Sequence, residues 1–380
     1  MKIAFITHDV GIYGASRSLR DLLIHLNIQH DVHIIVRNHY RKKQNIYAIS
    51  EWFQVKIDKI HEFRLPFSLC YYGKPKINFI TKIINYILDI KWQYMDSKKL
   101  YKFLHNEAFD IIHLNSIVLH QVLNKKFKMI IHMRELYDGT TTSVIRNLEK
   151  AKGLIFIDLS TKNAIKETKI NKSIILIDPF DMTLLDKFSN ENFVLESPYE
   201  IEWKKKIVFS IIGRVEYIKG IIFVINVFKQ YENQNALLLI VGNVFDNEYL
   251  NECKKAIGTD NRIIIYGEEK EIEKIYYISD YIIRGESFAC IGRTIYEALY
   301  SGLKVIVPGD IQKDTELFFD YNLFRENIYF YKPLDSNALL QVLNICNKEI
   351  INKKYLSNIE QYSISFIKFC FSIIEEKINE

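Results

Sequence analysis

Short runs rich in Ile, Val, Leu and Phe recur along this chain at spacings that leave room for a helix between them. KIAFITH, DVHIIVR, FDIIHLN, KMIIHM and GLIFIDL come first; KKIVFSIIGRV, ALLLIVGN, RIIIYG and DYIIRG follow after a polar interval. A strand that is apolar on both faces must be covered on both, which only a mostly parallel sheet flanked by helices provides. The expected fold class is therefore α/β, as two Rossmann-like doubly wound domains facing a cleft. The polar interval NENFVLESPYEIEWKKK, residues 190–206, breaks the alternation and is read as the linker, giving domains over 1–190 and 191–360. At 380 residues and 48% hydrophobic side chains, the chain can bury two cores of that size.

Several classes are disfavoured on composition. The five cysteines are scattered, with no CxxC pair, which argues for a reducing compartment and against a disulfide framework or a zinc site. MKIAFITHDV reads as a first strand and not as a leader peptide, and no apolar run approaches a membrane span. Residues 1–190 carry 29 Lys and Arg against 18 Asp and Glu, while the remainder carries 22 against 28. The basic half suits a phosphate-bearing substrate or a membrane surface better than nucleic acid, for which no helix-turn-helix, zinc-finger or RNP-type pattern is present. Residues 74–105 are basic and aromatic-rich, and are expected to form a packed helix pair in preference to a membrane-surface helix.

Two segments carry the chemistry. In SDYIIRGESFACIGRTIYEALYSGLKVIVP, residues 279–308, a strand leads through a glycine loop into a helix, and such a helix N-terminus binds phosphate. Gly292 allows close backbone approach, Arg293 and Thr294 open the helix, and Glu297 lies one turn on, where a carboxylate can accept two hydrogen bonds from a sugar diol. In IIGRVEYIKG, residues 211–220, a strand ends at Gly213, and Arg214 and Lys219 follow five residues apart. Two cations so placed can clamp a diphosphate and stabilise the charge that develops on it as a bond breaks.

GRTIYEALYSGLKVI resembles the donor-site segment of retaining glycosyltransferases of the GT-B fold, family four in particular (glycosyl transferases group 1). That family shows two Glu separated by seven residues, with Phe-Gly between them and Gly-x-Pro-Val after. Gly292, Glu297, Ala298, Gly302 and Val305 fit the pattern without a gap, whereas Ala289 stands where the first Glu belongs and Lys304 where the Pro belongs. The family's Gly-Arg…Lys-Gly pattern is matched at Gly213, Arg214, Lys219 and Gly220.

The resemblance implies further roles. GIYGASRSL, residues 11–19, resembles the family's glycine loop, with Gly14 and Ala15 matching and Tyr13 replacing a frequent Gly; a turn capped by Ser16 explains it equally well, and it is not a dinucleotide GxGxxG. In MIIHMRELYDG, residues 129–139, His132 is placed to hydrogen-bond a donor hydroxyl, and Glu135 either orients an acceptor or pairs with Arg134. His113 and Asn115 are structural or line the acceptor side. The loop containing Gly267 and Glu268 is where the family holds the nucleobase through backbone groups. Residues 361–380 are expected as a final helix packing back on the first domain. Glu286 is the candidate to replace the carboxylate missing at Ala289, unless it is a solvated surface group. The catalytic candidates are thus His132, Arg214, Lys219 and Glu286.

The resemblance implies transfer from a nucleoside diphosphate sugar to a saccharide or lipid-linked acceptor, with no cofactor and with no metal, because the Arg214–Lys219 pair and helix N-termini do that work, and no DxD at a strand end argues otherwise. The expected location is cytoplasmic, with the inner membrane face as a partner surface. A nucleotide-sugar epimerase of the same fold, or a catalytically weakened nucleotide-sugar-binding subunit, are the alternatives.

Overall fold

Side chains branched at Cβ pack well on a pleated surface, so the Ile- and Val-rich runs become strands and the mixed stretches between them become helices. The computed structural model describes residues 1–380 apart from 12–13, 39–43, 72–73, 75–77, 140–141, 166–171, 189–202, 290, 319–320, 349–353 and 376–380. The chain divides into one unit of Met1–Phe180 with Asn358–Glu380, and a second of Asp181–Ser357.

In the first unit, β1 (Lys2–Thr7), β2 (Asp31–Arg37), β3 (Ile60–Phe63), β4 (Ile111–Leu114), β5 (Met129–Met133), β6 (Gly153–Phe156) and β7 (Ser173–Ile175) form a sheet ordered β3-β2-β1-β4-β5-β6-β7. In the second, β8 (Ile207–Ile212), β9 (Ala236–Val241), β10 (Ile263–Gly267), β11 (Tyr281–Ile283), β12 (Lys304–Pro308) and β13 (Ile328–Tyr331) are ordered β10-β9-β8-β11-β12-β13. Every pairing in both sheets is parallel. Each chain path winds outward through its first three strands and then returns to start the other way. The switch points lie between β1 and β4 and between β8 and β11, the places where an open parallel sheet generally takes its ligand.

The division between the units falls after Phe180, ten residues before the boundary drawn from the sequence, and residues 190–202 of the expected linker lie outside the described residues. The last helix, Ile359–Ile374, belongs to the first unit. Tyr362, Phe366, Phe369, Cys370 and Ile373 enter the core that also holds Ile3 and Phe5 of β1. Gly153 makes room for it, since a Cβ there would lie 2.7 Å from the Phe369 ring. Asn358 anchors the start of this helix by accepting from the Phe180 amide at 2.9 Å and donating to the Asp178 carbonyl at 3.1 Å.

The expected helix pair in residues 74–105 is only half packed. The helix Ser97–Glu107 buries Leu100 and Leu104, but the helix Phe79–Lys91 buries none of its residues, and a π-helical turn, Trp92–Asp96, joins the two. Its apolar residues lie on the face turned away from the protein, so a hydrophobic pattern read as core-forming marks an exposed surface.

In the second unit, the loop leaving β8 touches backbone to backbone the loop leaving β11 across the switch point and the loop leaving β9 on its other side. Gly220 has φ +60°, and a Cβ there would fall 1.7 Å from the Gly285 carbonyl oxygen; one on Gly242 would fall 1.9 Å from that of Gly213. No side chain fits at either place. Gly220→Ala is expected to cost about 3 kcal/mol or more, read as lost hydrogen-exchange protection of the β8 and β11 amides. Gly14→Ala, where an added Cβ meets nothing within 4 Å, is expected to change stability by less than about 0.5 kcal/mol. Equal protection in the two variants would overturn the backbone contact.

Candidate functional site

The loop leaving β8 begins at Gly213, passes a single 3-10 turn, Tyr217–Lys219, and enters the helix Ile221–Phe228 through Gly220. Lys219 therefore sits just ahead of the helix and not within it. Arg214 lies over the Phe245 ring at 4.9 Å and pairs with Glu216 at 3.1 Å, its side chain 44% exposed. Both cations expected to meet a diphosphate thus stand on one loop at the switch point.

The loop leaving β11 supplies the other half. Glu286 is not the solvated carboxylate that the sequence allowed: it is 2% exposed. Arg284 donates from Nε to both carboxylate oxygens at 2.9 Å and from Nη2 to one of them, and Lys219 Nζ lies 3.3 Å away. Burial pushes the Glu286 carboxyl up, but the charge and hydrogen bonds of Arg284 and the charge of Lys219 outweigh it and hold it below the ordinary glutamate value. Glu286 consequently fixes Lys219, and its carboxylate is engaged by Arg284 and Lys219. Arg284 itself went unread in the sequence. It is buried, its Nη1 donates to Thr294 Oγ1 at 3.3 Å, and its carbonyl accepts from Tyr331 Oη at 2.7 Å. The signal was Arg-x-Glu at a strand end, where residues two apart share a face.

The helix Arg293–Tyr300 starts at Gly292, which offers no side-chain cap. Glu297 is 1% exposed; it accepts from Arg293 Nε at 2.7 Å and from Tyr276 Oη at 2.6 Å. Ala289, half-buried, lies on the approach to this helix, and Cys290 lies outside the described residues. Gly267 has φ +90°, its carbonyl accepts from the Gly242 amide at 2.7 Å, and Glu268 beside it is exposed.

In the first unit, Gly14 and Ala15 open the helix Gly14–Leu26, and Tyr13 lies outside the described residues. Ser16 is not the cap: it is buried inside the helix and accepts from Trp52 Nε1 at 3.1 Å. Asn115, at the end of β4, donates to the Ala15 carbonyl at 3.1 Å and accepts from Arg134 Nε at 2.9 Å, while Arg134 Nη1 pairs with Asp178. The local Arg134–Glu135 pair is therefore absent. Glu135 instead accepts from Ser116 Oγ at 2.8 Å and from the Ile117 amide at 3.3 Å. His132 is fully buried, its Nδ1 3.4 Å from His113 Nε2. Burial, and then the charge of Arg134, lower both imidazoles well below the ordinary value, so both are neutral near pH 7. His132 Nε2 has no protein partner. Among the described residues, no three His, Cys, Asp or Glu side chains gather as a metal site would.

Residues 196–344 match the family model described as glycosyl transferases group 1, the stretch that holds Arg214, Lys219 and Glu297. That matched stretch lies within the second unit. An uncharacterized glycosyltransferase of Methanocaldococcus jannaschii is 30% identical over 138 residues, which are 36% of this chain and 34% of that protein, so the match spans about a third of the relative's length. The Anabaena protein HepE, in a crystal structure with UDP and glucose, superposes with a TM-score of 0.67 at 14% identity, covering 99% of this chain and 98% of its own. A glycosyltransferase of Rickettsia africae superposes with a TM-score of 0.66 at 16% identity, covering 99% of each chain. These likenesses establish the GT-B fold over the whole chain.

Burial raises the Glu135 carboxyl to about 7, against the lowering effect of Ser116, Arg134 and the Ile117 amide. Because the folded-state value lies above the unfolded one, its contribution to stability is complete below about pH 4.5 and is lost as pH rises through about 7. Glu135→Gln should flatten that decline, measured by urea denaturation at about pH 5 and about pH 8. An unchanged pH dependence would show that another group carries it.

Proposed function

We propose that this chain is a retaining glycosyltransferase that moves a sugar from a nucleoside diphosphate sugar to a saccharide or lipid-linked acceptor. The observation that carries the reading is the placement of Arg214 and Lys219 on the β8 loop, and of the helix bearing Glu297 after β11, on the two sides of one switch point. A match to the glycosyl transferases group 1 family over that same stretch supports it. So does the fold shared with HepE, whose structure holds UDP and glucose.

In this reading Arg214 and Lys219 hold the diphosphate, with the first amides of the helix Arg293–Tyr300 as further donors. Gly292, Arg293 and Thr294 allow its close approach, Glu297 accepts from the ribose hydroxyls, and backbone at Gly267 and Glu268 meets the base. As the bond from the sugar's anomeric carbon to the diphosphate breaks, the charge growing on the leaving oxygen falls beside two fixed cations, the place where electrostatic stabilisation counts most. The acceptor hydroxyl adds to the same face and passes its proton to that oxygen, which retains the configuration. The cations belong to the chain, so the step is assigned without a metal. The setting proposed is the assembly of an envelope polysaccharide in the cytoplasm, at the inner membrane face.

One observation favours a second reading. Ala289 supplies no carboxylate and Glu286 is engaged by Arg284 and Lys219, so a subunit that binds a nucleotide sugar without efficient turnover also fits.

Each charge-assisted contact to phosphate contributes roughly 1.5 to 3 kcal/mol, so Arg214→Ala and Lys219→Ala should each weaken nucleoside diphosphate binding by about tenfold or more in calorimetry. Unchanged affinity in folded variants would remove the diphosphate assignment. Glu297→Gln should weaken binding of a ribonucleotide more than that of its 2′-deoxy counterpart; loss of stability with affinity intact would make Glu297 structural. Product formation in a screen of nucleotide sugars separates transfer from binding alone, and Ala289→Glu should raise the rate in the latter case.

A further inference from the structure

The helix Phe79–Lys91 is inverted. Residues 81, 85, 89 and 92 share one side, by the three- and four-residue spacing of a helix. Thr81, Asn85 and Asp89 are half-buried there and Trp92 is buried. Asn85, Leu88, Asp89 and Trp92 line a cavity together with Arg37 and Arg64, so the polar side of the helix is turned to a basic part of the first unit. Burial raises the Asp89 carboxyl, in keeping with that position. The outer side is aliphatic: Ile80, Ile83, Ile84, Ile87 and Ile90 are 67%, 45%, 48%, 57% and 40% exposed. Aromatic rings frame it, with Phe79 at 75% and Tyr86 and Tyr94 each at 67%. A water-facing helix carries the opposite arrangement, and a contiguous apolar face of this kind marks a surface that is covered in use.

The charges identify what covers it. From Phe79 to Lys102 the exposed charged side chains are Lys82, Lys98, Lys99 and Lys102; of the two acids in that stretch, Asp89 is half-buried and Asp96 buried. A second copy of the chain related by a twofold axis would set these lysines against their own kind. An anionic lipid surface would meet them with opposite charge, and its interface is where Phe and Tyr rings and lysine stems are best accommodated. The helix has 13 residues, about 20 Å of length, too short to cross a hydrocarbon core of about 30 Å. No described helix is long and apolar enough to do so. It can only lie flat.

We propose that the helix Phe79–Lys91, with the turn Trp92–Asp96, docks this protein on an anionic bilayer, its isoleucine face in the headgroup boundary and its lysines on the lipid phosphates. The proposal rests on the inner-membrane location given above and names the element responsible for it. It is independent of the donor site, since none of these residues belongs to the second unit.

The test is cosedimentation of the full chain with vesicles of phosphatidylcholine and phosphatidylglycerol in equal parts, and with phosphatidylcholine alone. The wild type should bind the anionic vesicles more tightly and release as salt is added. Ile83→Glu with Ile87→Glu should weaken that binding by at least about a hundredfold, and leave nucleoside diphosphate affinity and the thermal midpoint unchanged. Equal binding by variant and wild type would overturn the role of the helix while leaving the membrane location standing. Failure of the wild type to bind either vesicle would overturn both, without touching the glycosyltransferase reading. A wild-type dimer that the double substitution dissociates, with no vesicle binding, would assign the face to a second copy instead.

Discussion

The second unit of this molecule depends on two places where backbone lies against backbone. Loops leaving neighbouring strands of a parallel sheet normally splay apart at the switch point, because their helices go to opposite faces. Here Gly220 and Gly285 lack the side chains that would hold those loops apart, and Gly213 and Gly242 allow the same closeness between the loops leaving β8 and β9. That proximity lets a glutamate on the β11 loop meet a lysine on the β8 loop. The placement of Lys219 is therefore a consequence of glycine positions in strands that are far apart in sequence.

The ion network built on this contact has a definite logic. A buried carboxylate is expensive unless its charge is compensated and its acceptor positions are filled. Arg284 supplies most of both for Glu286, and Lys219 supplies the remainder. Lys219 is the more exposed partner, at 27% against 2%, so it can turn part of its donor capacity outward without stranding the carboxylate. A lysine fixed in this way loses less side-chain freedom when an anion arrives than a lysine moving freely in water. Arg214 is placed differently, resting on Phe245 and paired with Glu216 in a half-exposed position. One cation is set by buried ionic bonds and the other by an aromatic face.

Much of this was legible in the sequence, and the illegible part has a common cause. The apolar runs gave the strands, their alternation with helices gave the parallel sheets, and Gly-Arg…Lys-Gly with the Glu297 helix marked the loops that matter. Each of those signals is local. What could not be read was which residues meet across strands: Arg284 went unread, Glu286 was open to being a solvated surface carboxylate, Ser16 to being a cap, and Arg134 and Glu135 to being neighbours bonded to each other. Arg134 instead pairs with Asp178, 44 residues on, and Ser16 accepts from Trp52. The linker was placed on composition, yet Phe180 already closes the first unit by bonding to Asn358, a pairing that spans the whole second unit.

The helix Phe79–Lys91 shows the same limit in its sharpest form. Periodicity reveals that a helix has two faces, and says nothing about which one the protein takes. The usual inference, apolar side inward, assumes that water is the only alternative environment. Inward placement of the helix's polar side sets Asn85 and Asp89 on a cavity that Arg37 and Arg64 also line. Arg37 already shows the strain of burial, its pKa lowered from the ordinary value. The polar contacts on the inner side and the apolar exposure on the outer side are thus two aspects of one choice. A helix that turns its polar side inward has to present its isoleucines elsewhere, and the excess of lysine in the same segment determines the kind of surface that can receive them.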